Sequence, residues 1–251
     1  MTIPTPPTPE NQPRDAGNWA APFGTLHVAE VPIGAINLNV DGRRVVGPVQ
    51  GFGRLWQKTF RVRLEAADIR PAEVVRIWKE HFAALQPPQS RFFPSVVGTP
   101  GAVVLINASL MGSPVDTGML VMYADDESFT LMTPQGHPES GWITFSAYEE
   151  DGVTIAQVQS ISRANDPVYE IGFRLVGDRA QDKIWTTVLT ALAAHFGVEG
   201  TVDLQKTLLD PHCQWSQARN VWHNAAIRSV FYMLAAPLRY VRGRLQGRLG
   251  A

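Results

Sequence analysis

The chain has 251 residues, 45% apolar and 18% charged, with 22 lysines and arginines against 23 acidic residues. That length can bury a sizeable core, and the near-neutral balance excludes a bulk nucleic-acid binder, which would carry a strongly basic surface. The lone Cys213 excludes an internal disulfide framework, so a reducing, cytoplasmic setting is expected, and the first residues lack the basic start and apolar run of a signal peptide.

Residues 1–22 hold six prolines and little that can pack, so they read as an extended, disordered tail. Within 37–46, Asp41-Gly42 separates two short stretches in the pattern of a tight hairpin. Gly47, Gly51 and Gly53 follow, but Arg54-Leu55-Trp56-Gln57 stands where a phosphate-cradling loop needs Lys-Ser/Thr, so this stretch is a connector. Residues 58–65 alternate, with Phe60, Val62 and Leu64 on one face, and predict a half-buried strand. Pro71 suits a first helical turn, and Val74, Trp78, Phe82 and Leu85 repeat at helical spacing as far as Pro87-Pro88.

Six further strands are predicted at roughly 102–110, 117–123, 127–133, 141–149, 153–161 and 168–175. Their close spacing indicates an antiparallel meander. Residues 92–115 carry no charge, yet Pro94, Gly98, Pro100, Gly101, Gly112 and Pro114 make a spanning helix untenable. Asp178 is placed to cap a long helix, with Gln181 three residues on. Ile184, Trp185, Val188, Leu189, Leu192 and Phe196 form its apolar stripe and Gly197 its stop.

The order strand, helix, six strands, long helix resembles the helix-grip fold of the START-like (SRPBCC) superfamily. Residues Tyr123-Ala124-Asp125-Asp126-Glu127-Ser128-Phe129 run into Gly136-His137-Pro138-Glu139-Ser140-Gly141, and Ser162-Arg163 follows about one strand later. This combination is similar to an uncharacterised bacterial family placed near that superfamily. The resemblance covers roughly 55–200 and lapses after Arg163, where Ala164-Asn165-Asp166-Pro167 leads into a predicted strand instead of that family's helix. It implies an α+β fold in which a curved antiparallel sheet wraps around the helix near 179–196. The chain then divides into a tail (1–22), a hairpin and connector (23–56), a START-like domain (57–200) and a basic helical extension (201–251). The resemblance also implies a cavity between sheet and helix that holds a lipid or another hydrophobic small molecule. Some members of the superfamily catalyse cyclisation or dehydration-type reactions there.

For such a cavity, Tyr123, Met132, Trp142, Tyr148, Trp185 and Leu189 are candidate lining residues, the aromatics among them joining apolar contact to a polar handle. His137 is a candidate ligand-binding group and, with Glu139, a candidate acid–base pair if the protein is an enzyme. The same two residues can instead serve only to fix their turn through backbone hydrogen bonds. Arg163 can hold an acidic headgroup in its planar fork or pair with Asp166 on the rim. The six histidines lack metal-ligand spacing and no GxSxG elbow occurs, so no metal, cofactor or hydrolase chemistry of that type is expected.

Residues 211–251 carry six arginines and no acidic residue, a charge of +6, whereas the preceding 210 residues sum to −7. Trp222, Ile227, Val230, Phe231, Tyr232, Met233 and Leu234 lie in the same stretch. A basic, aromatic-rich helix suits peripheral contact with an anionic membrane through 219–248. It also suits packing of its apolar side on the domain's own acidic surface, on a second copy in a homodimer, or on another partner. The uncharged run 229–238 is half of the ~20 residues that a span requires.

Overall fold

The computed structural model describes residues 15–65, 68–94, 97–110 and 112–236. Eight strands form one curved, open antiparallel sheet: β1 (Leu55–Leu64), β2 (Ser90–Pro94), β3 (Val103–Leu110), β4 (Ser113–Ala124), β5 (Ser128–Met132), β6 (Glu139–Glu150), β7 (Val153–Ala164) and β8 (Val202–Asp210). Their order is β2-β3-β4-β5-β6-β7-β1-β8. Helices α1 (Pro71–His81), α2 (Pro167–Gly172), α3 (Asp178–His195) and α4 (Ala225–Leu234) complete the regular structure.

Period-two alternation carries one row of apolar side chains across the concave face. Phe60 faces Val158, Val158 faces Phe145, and Phe145 faces Phe129 on successive strands. All four are fully buried. Phe129 and Phe145 stack at 4.7 Å, and Trp78 of α1 meets both edge-on at 6.3 and 5.2 Å. Phe82 adds two further edge contacts at 5.8 and 5.4 Å. Such pairs stabilise by about 0.5–1.5 kcal/mol each beyond their burial. This cluster plugs the part of the concave face beneath α1. Helix α1 stops at His81, short of the expected Leu85, although Phe82 and Leu85 are still buried in the turns that follow.

The segment expected as a strand at 168–175 is helical. The Asp166 carboxylate accepts from the amides of Val168 (2.9 Å) and Tyr169 (3.1 Å), and Pro167 supplies a pre-set φ at the first position. From there α2, a π-helical turn (Phe173–Gly177) and α3 run on end to end. Asp178 is therefore no cap; it is already in helical conformation. The apparent strand face divides, with Tyr169 buried and Ile171 and Leu175 exposed. The end of α3 carries Val188, Leu189 and Leu192 into the core against β1 and β7. This is a helix-grip arrangement.

Residues 202–210, expected within a helical extension, form edge strand β8. Its Lys206 lies directly opposite Lys58 of β1, a like-charge pairing that would repel unaided. Two carboxylates of α3 stand between them. Asp178 meets Lys58 and Lys206 at 2.5 Å each, and Asp182 meets Lys58 at 3.2 Å and also pairs with Lys206. Other early expectations also change. The Asp41-Gly42 turn forms, with Gly42 at φ +72° and the Arg43 amide donating to the Val40 carbonyl at 3.0 Å, but its flanks do not run on as paired strands; Leu26 bonds the backbone at Gly42 and Arg43 instead. The tail expected over 1–22 lies outside the described residues up to 14, and beyond that its side chains are mostly exposed, though Trp19 sits 4.7 Å from the Tyr123 ring and Ala20 N–H donates to Met122.

Candidate functional site

The concave face not plugged by the aromatic cluster holds a cavity of about 140 Å³, open on one side. Alternation along the strands presents Ile106 of β3, Thr117 and Met119 of β4, Ile143 of β6 and Ser160 of β7 to it. Ile184 and Trp185 of α3 roof it, together with Phe173 from the π-helical turn. The lining is predominantly apolar, with a few polar groups. Among the described residues, Thr117 Oγ1 and Trp185 Nε1 are buried without a hydrogen-bond partner, and the hydroxyl of buried Ser160 is unpaired as well.

His137 and Glu139 both line this cavity. His137 Nδ1 lies 3.1 Å from both the amide nitrogen and the carbonyl oxygen of Glu139, accepting from the first in one tautomer and donating to the second in the other. Dense packing desolvates the ring and lowers its pKa below the ordinary value of 6.5, against the opposing pull of the Glu139 charge and backbone. The imidazole thus touches the Glu139 backbone, while the Glu139 carboxylate accepts from Ser162 Oγ (2.6 Å) and from Gln181 Nε2. Gln181 in turn accepts from Lys58 at 2.5 Å, which ties the cavity wall to the lysine–aspartate cluster. A second, polar cavity of about 160 Å³ lies on the other side of Glu139, Ser162, Phe173 and Gln181.

Trp185 and Trp142 also border the apolar cavity, although the Trp142 ring reaches Gly47 on the opposite face. The remaining candidates lie elsewhere, for reasons of strand parity and packing. Tyr123 is held against Trp19 and donates to the Asp125 carboxylate. Met132 is on the convex side near Gly47. Tyr148, two residues pairs on from Ser146, shares that outward parity. Leu189 is spent in the core beneath α3. Arg163 is 5% exposed and does not pair with Asp166: it donates to the carbonyls of Gly53 (2.8 Å) and His212 (3.0 Å) and pairs with Asp210. It staples β7 to the chain beyond β8 and borders the polar cavity. Ser160, Thr117 and Phe173 escaped the sequence reading. The first was legible, because Ser160 continues the inward register of Ala156 and Val158. Among the described residues no group of three or more histidine, cysteine or acidic side chains is arranged to hold a metal.

The strand order, the single gripping helix and the hollow between them are now in view. The fold is of the helix-grip kind, a curved antiparallel sheet around one long helix. No family model matches the chain, and no curated protein does. Similar solved structures include a START superfamily protein from Mycobacterium smegmatis, 19% identical, TM-score 0.41, covering 58% of this chain and 98% of that one. The di-domain ARO/CYC StfQ from the steffimycin biosynthetic pathway is 10% identical with a TM-score of 0.42, covering 56% and 50% of the two chains. Ginseng major latex-like protein 151 from Panax ginseng is 14% identical with a TM-score of 0.37, covering 57% and 99%.

Proposed function

We propose that the protein binds a small hydrophobic molecule carrying at least one hydrogen-bonding oxygen in the cavity beneath α3. The observation that carries this reading is an apolar hollow whose wall holds an unpaired hydroxyl, that of Ser160. A buried polar group left unmatched costs about 1–3 kcal/mol, so a ligand that supplies its partner gains that much in addition to apolar contact. The size of the cavity sets a scale. A hollow of about 150 Å³ accommodates benzene, so the enclosed part of the ligand is of single-ring size and anything longer extends through the open side. Filling the space tests this: Ser160→Phe is expected to weaken binding of monocyclic phenols, followed by native mass spectrometry and calorimetry, at least about tenfold. Unchanged affinity in a folded variant refutes the site.

A second reading makes the same cavity a cyclase- or dehydratase-type active site. It is favoured by His137 and Glu139 both facing the hollow. Under that reading Glu139→Gln retains binding and abolishes conversion, whereas ligand recovered unaltered from the wild-type protein counts against it.

A further inference from the structure

We infer that α4 and the arginines around it form a docking surface for an anionic lipid membrane. Helix α4 seats on the domain by its small and polar side. Ala225 and Ser229 are fully buried, Ser229 Oγ accepts from the Asp116 amide at 3.0 Å, and Arg228 Nε donates to Asn39 at 2.8 Å. Its apolar side does not pack on the domain, contrary to one of the sequence expectations. Ile227, Phe231 and Leu234, spaced i, i+4 and i+7, are 36%, 67% and 70% exposed and lie half a turn away from the buried pair. Trp222, 80% exposed, precedes the helix. A helix that buries its polar side and presents an apolar stripe to water is built to enter another apolar phase.

The charge around the stripe selects the phase. Arg44, Arg219, Trp222 and His223 line one groove, and Arg43 donates to His223 Nδ1 at 2.9 Å. Among the described residues Arg43, Arg44, Arg219 and Arg228 form no ion pair. Asp116, which lies beneath α4, pairs with none of them. Burial and then the charges of Arg43, Arg228 and Arg44 lower the pKa of His223, the result expected where cations crowd without compensation. The sequence beyond, 237–251, adds four arginines and no acidic residue; it lies outside the described residues. A second copy docked about a two-fold axis would set these arginines against their own counterparts. An anionic bilayer neutralises all of them, each arginine near its surface gaining about fivefold in affinity.

The test is co-sedimentation of the full chain with vesicles of phosphatidylcholine, either alone or with about 30 mol% phosphatidylserine. Binding to the anionic vesicles is expected to exceed that to neutral ones by at least about tenfold and to weaken as salt rises. The double variant Phe231→Ser/Leu234→Ser, and independently Trp222→Ser, should reduce it several-fold at an unchanged thermal midpoint, since all three side chains are exposed. Failure to bind anionic vesicles overturns the inference. So does undiminished binding by the apolar variants, which would assign the interaction to charge alone, and so does a self-associating chain that the double variant renders monomeric without any vesicle binding.

Discussion

His137 shows how one side chain can be both a structural pin and a cavity group. Its Nδ1 is committed to the Glu139 backbone, while the ring lines the cavity. Desolvation depresses its pKa, and that of His223 is depressed as well. The sign follows directly. A histidine whose folded pKa lies below its unfolded value of roughly 6.5 contributes stability that is present above that value and lost as pH falls through the folded pKa. The thermal midpoint is therefore expected to drop between about pH 7.5 and 5.5. In His137→Asn, whose amide oxygen can still accept from Glu139, the drop should shrink. A midpoint equally sensitive to pH in this variant would show that His137 is not a source of the dependence.

The stretch 136–141, Gly-His-Pro-Glu-Ser-Gly, runs from the end of the β5–β6 loop into β6, and its members have separate physical tasks. Gly136 adopts φ +94°, and a Cβ there would fall 2.1 Å from the His223 carbonyl oxygen. Its own carbonyl accepts from the Ala225 amide at 2.9 Å, so the loop holds the start of α4. Pro138 and Glu139 form part of the cavity wall, and Ser140 Oγ donates to Asn165 at 2.8 Å. At Gly141 a Cβ would come within 2.2 Å of the Ile161 carbonyl on β7. Backbone contact at both ends therefore excludes side chains, while the middle serves the cavity. Gly136→Ala is expected to cost at least about 2 kcal/mol in urea unfolding, from strain at positive φ together with the clash. A cost below that of an ordinary surface substitution would mean that α4 can detach freely.

At the scale of the whole molecule, the sheet is closed over by two devices. The aromatic cluster under α1 is packed solid, which confines the hollow to the other half of the concave face. The lysine–aspartate cluster then joins β1, α3 and β8. Lys58 is 5% exposed while Lys206 keeps contact with water. Lys58→Ala is thus expected to destabilise by about 1–3 kcal/mol, because it leaves partly buried carboxylates short of a cation; the accessible side of Asp178 keeps the loss below that of a fully buried pair. Lys206→Ala should cost less than about 1 kcal/mol. Equal effects in chemical denaturation would contradict this ordering. Beyond β8 the chain is joined to the same body. Asn220 donates to the carbonyls of Gln50 and Asn165, and Asn224 donates to Asp166, the residue that caps α2.

Local patterning was enough to read β1, the meander from β3 to β7 and the stripe of α3, because one face of each is buried and side-chain parity records which. It failed where pairing is made by backbone alone or settled by a neighbour. The edge strand β8 has mostly exposed side chains, so its partnership with β1 leaves almost no alternation to detect. At 168–175 alternate apolar residues mimicked a strand, and the Asp166-Pro167 cap, braced from the distant Asn224, turned the segment into helix. The cavity has the same character. Inward serine and threonine positions follow from strand register, but whether a hollow stays unfilled depends on how far α3 stands off the sheet, a distance fixed by contacts between residues more than a hundred positions apart.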